Sequence, residues 1–136
     1  MGWKFYELDQ IAQKLVIKAR DRDANEPKNK KSLPQAHKMR MAVAYGLERF
    51  WGEHLRLEVK EPNKSQFWEE TWTAVVGIMQ DAGDKIPDEA AATMPKELWK
   101  LDLETQRVAL AVLTQLCDAI IWWTQRYKTG SLDDVD

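Results

Sequence analysis

Hydrophobic residues recur every three or four positions along most of this 136-residue chain, which is the spacing of one face of an α-helix. Four such stripes predict helices over about 3–23, 34–57, 63–82 and 103–128, and prolines stand only at their ends or between them. No segment of useful length alternates hydrophobic and polar residues as a strand does. The pattern therefore predicts an all-α fold, a single compact bundle of about four to six helices.

The last predicted helix, residues 103–128, carries the strongest signal. Asp102 stands where a side chain caps a helix N-terminus, and Gly130 follows as a stop signal. Apolar residues cover most of the circumference of this helix. We therefore expect a long hydrophobic C-terminal helix at the centre of the bundle, in contact with several neighbours.

Two connections and one glycine interrupt these stripes. Residues 25–34 hold two prolines among Asn, Ser and Lys, which predicts a polar loop that is mobile at its tip and packs nothing into the core. Residues 84–101 predict two short helical segments, over 88–93 and 95–100. Gly46 lies inside the second predicted helix, where glycine costs about 1 kcal/mol relative to alanine. We interpret Gly46 as a close contact between helices rather than as an approach of a ligand to the backbone.

The chain shows no internal repeat and no linker, so residues 1–130 are predicted to form one helical domain and residues 131–136 an acidic, flexible tail. Most of the seven tryptophans coincide with the hydrophobic stripes and are expected in the core. Trp3 and one of the adjacent Trp122 and Trp123 are expected at the surface, because neighbouring helical residues cannot both face one core.

Composition places this domain in a reducing, aqueous compartment. The single cysteine, Cys117, cannot form an internal disulfide and is expected to be a small buried hydrophobe. The first ten residues carry Glu7 and Asp9 and do not resemble a signal peptide. The longest uninterrupted apolar runs fall short of the ~20 residues that cross a bilayer. We expect a cytoplasmic protein without membrane contact.

Charge is distributed unevenly. The net charge is −2, yet residues 14–40 hold nine basic and three acidic residues, whereas the second half is acidic. Lys14, Lys18 and Arg22 are spaced four apart, so a helix places them along one edge. Such a segment is typical of a surface that faces an anionic partner, although a solvated helix face has the same pattern. The nine cations are Lys14, Lys18, Arg20, Arg22, Lys28, Lys30, Lys31, Lys38 and Arg40.

The sequence contains no recognisable catalytic or metal-binding pattern. His37 and His54 stand 17 residues apart without zinc-ligand spacing, and Glu69 and Glu70 are adjacent, so a helix points them in different directions. Phosphate-binding loops and nucleophile motifs are also missing from the sequence. We therefore expect no enzyme activity, no cofactor, no bound metal and no small-molecule substrate.

The cations of residues 14–40 instead match the requirements of nucleic-acid binding. Contacts to phosphates need positive charge and reach, and they carry no sequence information. The exposed tryptophans are a second option, either as platforms for bases or as anchors of a protein interface.

The basic helix, the Lys-rich loop, Leu33-Pro34 and the segment Tyr45-Gly46-Leu47 resemble the small helical subunits of CRISPR–Cas effector complexes, of type III-B or a related type I or III branch. The resemblance covers roughly residues 8–128 and also includes the closing helix. This chain departs from the type III-B pattern at Tyr45, where asparagine usually precedes Gly-Leu.

The resemblance implies a non-catalytic subunit that stacks in a few copies along the complex, beside other effector subunits. It implies that basic surfaces hold the guide RNA–target duplex or the displaced strand by contacts to the backbone. The alternative is a helical protein-interaction module, such as an adaptor or a phage- or plasmid-encoded inhibitor, that uses the basic loop and an exposed tryptophan. If Lys14, Lys18 and Arg22 bind nucleic acid, replacing them by Glu is expected to abolish binding and leave helicity intact.

Overall fold

A computed structural model describes residues 5–87 and 93–128 of the chain. These two ranges contain six α-helices and two short 3-10 turns and no strand, which confirms the all-α prediction. The segments predicted as a helix over 88–93 and as a tail over 131–136 lie mostly or wholly outside the described residues, as does Trp3. The helices are α1 (Phe5–Asp23), α2 (Gln35–Ala42), α3 (Leu47–Leu57), α4 (Pro62–Asp81), α5 (Met94–Lys100) and α6 (Leu103–Lys128).

Helix α6 lies at the centre of the bundle, as predicted, and contacts α1, α2, α3 and α4. The backbone N–H of Thr105 donates to Oδ1 of Asp102 at 2.7 Å, so the predicted N-cap is also confirmed. By length and composition alone, Leu103–Tyr127 would suffice to cross a membrane, a property that the core helix of a bundle often shares. Six residues of α6 are completely buried: Ala109, Val112, Leu113, Leu116, Cys117 and Ile120.

The predicted continuous helix over 34–57 is wrong, because the chain bends at Gly46. Helix α2 passes into a 3-10 turn, Val43–Tyr45, and Gly46 then has φ 99° and ψ 173° before α3 begins. L-residues rarely adopt this conformation, so glycine is required there. A Cβ at Gly46 would meet nothing within 4 Å, so the interpretation as a close contact between helices is wrong as well.

The loop after α1 is tied to the core by a buried carboxylate. The side chain of Asp23 accepts hydrogen bonds from the N–H of Ser32 at 2.8 Å, from its hydroxyl at 2.9 Å and from the N–H of Leu33 at 3.0 Å. Asp23 and Ser32 are 3% and 0% exposed, and Leu33 packs against the core. The prediction that this loop packs nothing into the core is therefore wrong.

Candidate nucleic-acid interface

The structure divides the nine predicted cations into two groups. Five of them contact other groups of the fold, and the side chains of the other four make no hydrogen bond or ion pair within residues 5–87 and 93–128. The engaged cations are Lys18, Arg20, Arg22, Lys30 and Arg40.

Arg22 holds α1 against α4. Its two terminal nitrogens donate to the two carboxylate oxygens of Glu70, each at 3.0 Å, and both side chains are only 18% exposed. Lys18 lies 3.8 Å from the same carboxylate. The predicted edge of cations therefore turns in part toward α4 rather than toward solvent. Replacing Arg22 by Glu would place two carboxylates opposite each other, so we expect this change to weaken the packing of α1 on α4.

The other three engaged cations contact different parts of the bundle. Arg40 donates to the carboxylate of Asp118 at 2.8 Å and so links α2 to α6. The guanidinium of Arg20 lies 4.8 Å from the centre of the Tyr127 ring. The ammonium of Lys30 donates to the carbonyl oxygen of Lys60 at 3.1 Å. The position of each of these charges is explained by the fold itself.

The four remaining cations are lysines on α1, on the tethered loop and on α2. Lys14, Lys28 and Lys38 are exposed and Lys31 is partly buried. Lys28 opens the 3-10 turn Lys28–Lys30, and Lys31 directly precedes the buried Ser32. The carboxylate of Asp23 thus fixes the backbone on which two of the free charges stand.

A groove of about 400 Å³ lies beside this loop, at the start of α4. Two carboxylates, Glu26 and Glu61, line it together with Lys30, whereas neither Lys28 nor Lys31 does. An anion is therefore better received by Lys28 and Lys31, whose charges have no partner among the described residues, than by the groove.

A second surface lies between α2 and α3, and its aromatic residue, Tyr45, was not among the predicted site residues. Tyr45 is 67% exposed, and the guanidinium of Arg49 lies over its ring at 5.1 Å from the centroid. Both line a groove of about 220 Å³ together with Lys38 and Met41. In the sequence, Tyr45 stands within a hydrophobic segment and differs from its surroundings only as a departure from the pattern of the CRISPR–Cas small subunits. The feature of the sequence that could have indicated this surface is an aromatic residue and an arginine four positions apart, Tyr45 and Arg49, beside a glycine.

The tryptophans that the structure describes follow the predictions with one exception. Trp51, Trp68 and Trp72 are buried, and Trp122 is exposed whereas Trp123 is partly covered. Trp99, which was expected in the core, is 68% exposed. It belongs to the short helix α5, in which only Met94 and Leu98 are buried.

Groups that could support chemistry are sparse in the part of the chain that the structure describes. In that part, no three His, Cys, Asp or Glu side chains lie together as metal ligands would. Burial raises the pKa of the Cys117 thiol to about 12, which keeps it protonated and unreactive at neutral pH. Comparisons of the chain with protein-family models, with curated proteins and with solved structures find no match. The absence of enzyme activity and of cofactors stays a prediction.

Proposed function

We propose that this protein is a non-catalytic subunit that binds the nucleic-acid backbone through sequence-independent contacts. The observation that carries the proposal is the division of the cations. The fold uses five of the nine charges in residues 14–40, and the four lysines left over stand on ordered backbone without an internal partner among the described residues. Lysine binds phosphate as a compact point charge and needs no fixed geometry, so such lysines suit a phosphate backbone.

The arrangement of these lysines also suits a strand. Lys31 stands four residues before the first residue of α2, and Lys38 lies at the end of the first turn of that helix. Lys28 adds a third charge, three residues before Lys31 in the chain, at the start of the 3-10 turn. Several cations spaced along one path contact several phosphates at once, and they do so whatever the base sequence.

The resemblance to CRISPR–Cas small subunits extends this proposal to the complex in which the protein works. An all-helical bundle is the fold that the resemblance to CRISPR–Cas small subunits implies. In that setting, the protein is cytoplasmic, and its nucleic acid is the guide RNA–target duplex or the displaced strand. Its partners are other effector subunits and further copies of itself. Exposed hydrophobic side chains such as Trp99 and Leu103, at 68% and 62%, supply surface for such protein contacts.

Charge reversal at the free lysines tests the binding. We expect Lys28→Glu with Lys31→Glu to weaken binding of a labelled RNA in a fluorescence anisotropy titration by about tenfold or more, since two phosphate contacts are lost. The matched control is Lys85→Glu with Lys96→Glu, because both lysines are exposed and make no ion pair with the described residues. The control changes the net charge equally, and we expect it to bind within about twofold of wild type.

Two results would contradict the proposal. One is a wild-type protein that binds neither RNA nor DNA at low salt. The other is an equal loss of affinity in both double variants, which would mean that only net charge matters. Purification from the native host tests the setting separately, because guide RNA and large effector subunits should accompany the protein.

A protein-interaction module is the second candidate, and the exposed aromatic residues favour it. Trp99 and Trp122 are 68% and 54% exposed, and tryptophan is enriched at the energetic centres of protein interfaces. In that case a single acidic protein should accompany the purified chain instead of RNA. Trp99→Ala with Trp122→Ala should then abolish the association, and added salt should change it little.

A further inference from the structure

We infer that the groove between α2 and α3 is a stacking site for one unpaired base of a single-stranded nucleic acid, with Tyr45 as its platform. The inference rests on the proposed function and specifies which form of the strand the protein grips. Its basis is the combination of an exposed, oriented aromatic ring with unpaired positive charge at one groove.

The ring of Tyr45 is exposed and yet held in place. Tyr45 ends the 3-10 turn, and the bend at Gly46 directs the chain away into α3. The guanidinium of Arg49 lies 5.1 Å from the ring centroid, one turn further along, which is the geometry of a cation–π contact. With 67% of the residue exposed, ring surface remains free for a ligand. A ring oriented in advance binds a base at a lower entropic cost than a mobile one.

The charge around the ring favours an anionic ligand. Lys38 and Arg49 line the groove, and neither forms an ion pair with a described carboxylate. Glu53 also lines it, but Arg56 donates to both of its carboxylate oxygens, at 2.9 and 2.5 Å. Arg56 thus neutralises the negative charge of Glu53. The positive charges of Lys38 and Arg49 stay available to the phosphate beside a stacked base.

The size of the groove restricts the ligand. Pockets that enclose a whole small molecule measure about 300–1,000 Å³, whereas this groove measures about 220 Å³. It therefore admits part of a ligand, such as one flat base, while the rest of the strand lies outside. Met41 contributes an apolar wall and is itself 70% exposed. Bases in a duplex are stacked on one another and cannot reach Tyr45, so a duplex can contact the lysines but only a single strand can place a base in this groove.

Trp122 has a cation above its ring as well, since Arg126 lies 5.5 Å from the centroid. That ring packs edge-on against Trp123 at 4.8 Å, and Arg126 is shared between the two indoles. Tyr45 differs because Lys38, one of the four free lysines of the proposed backbone site, lines the same groove. Of these two rings, Tyr45 and Trp122, only Tyr45 therefore adjoins the proposed backbone site.

The test compares a single-stranded oligonucleotide of about twelve nucleotides, within the range that one small domain covers, with a hairpin duplex of similar charge. We expect Tyr45→Ala to weaken binding of the single strand by about 5- to 100-fold, the loss of one base stack, and to leave hairpin binding unchanged. Tyr45→Phe keeps the ring and should bind within about twofold of wild type. Trp99→Ala removes an equally exposed aromatic residue elsewhere and should have no effect on either ligand.

A second measurement reports stacking directly. A 2-aminopurine in the single strand should lose fluorescence on binding wild-type protein and keep it with Tyr45→Ala at saturating protein. The inference is wrong if Tyr45→Ala binds the single strand as wild type does, or if it loses both ligands equally. In both of these outcomes wild-type binding persists and the proposed function stands. If the wild-type protein binds neither ligand, the proposed function fails and the stacking site with it.

Discussion

Asp23 is the residue on which the position of the basic loop depends. Asp23 is 3% exposed, and its carboxylate accepts hydrogen bonds from the N–H and hydroxyl of Ser32 and from the N–H of Leu33, at 2.8–3.0 Å. The change Asp23→Ala removes every one of these acceptors. The N–H of Ser32 would then be left without a partner in a residue that is 0% exposed.

The expected cost follows from these contacts. A hydrogen bond to a charged group contributes about 1.5–3 kcal/mol, and an orphaned buried donor costs about 1–3 kcal/mol. These contributions do not add fully, because all of the hydrogen bonds share one carboxylate. Removing that carboxylate also removes the cost of burying its charge, which offsets part of the loss. We expect a loss of about 3 kcal/mol, a large part of the roughly 5–15 kcal/mol that stabilises a domain.

Urea denaturation followed by circular dichroism measures this loss. With an m value of about 2 kcal/mol per molar urea, the midpoint should fall by about 1.5 M. The matched control is Asp21→Ala, because the Asp21 side chain is 70% exposed and lies 3.9 Å from Arg20. This control should remain within about 0.5 kcal/mol of wild type. A midpoint for Asp23→Ala within about 0.3 M of wild type would refute the reasoning.

Three further predictions concern stability and reactivity. Glu70→Ala removes the acceptor of the ion pairs between α1 and α4 and should cost about 1–3 kcal/mol in urea unfolding, whereas exposed Glu69→Ala should cost less than about 0.5. Gly46→Ala forces an L-residue to φ 99° and should destabilise by about 1 kcal/mol or more; Gly77→Ala, within α4 and with open space at its Cβ, should stabilise by about 0.5–1. Cys117, whose pKa burial raises to about 12, should react with a thiol reagent at neutral pH only in urea.

The parts of the fold that could be predicted from the sequence depend on local patterns. The cap at Asp102 is set by residues within one turn of the start of α6. The end of α4 is equally local, because Gly83, at φ 90°, stands just beyond its last residue, Asp81. The central position of α6 follows from its nearly continuous apolar surface. The bend at Gly46 could not be predicted in this way, because the hydrophobic spacing continues across it. Buried residues stand at helical intervals on both sides of the glycine, at Met39, Val43 and Leu47.

The candidate site could be predicted only in part, for a different reason. Helical spacing shows which cations share an edge, but it does not show what lies opposite that edge. Glu70 is 48 positions from Arg22 along the chain, and only the packing of α4 on α1 brings them together. The exposure of Tyr45 likewise depends on the direction in which the chain leaves a turn. Charge in the sequence thus indicated a candidate region, and the structure shows which cations of that region have partners within the fold.

The salt dependence of nucleic-acid binding tests the central claim most directly. Each phosphate contact contributes about −0.7 to −0.9 to the slope of log affinity against log salt concentration. Contacts through Lys14, Lys28, Lys31 and Lys38 should give a slope of about −3 for the wild-type protein. The variant Lys28→Glu with Lys31→Glu should bring it to about −1.5. A slope near zero, or one that this variant leaves unchanged, would contradict the proposal that free lysines grip the backbone.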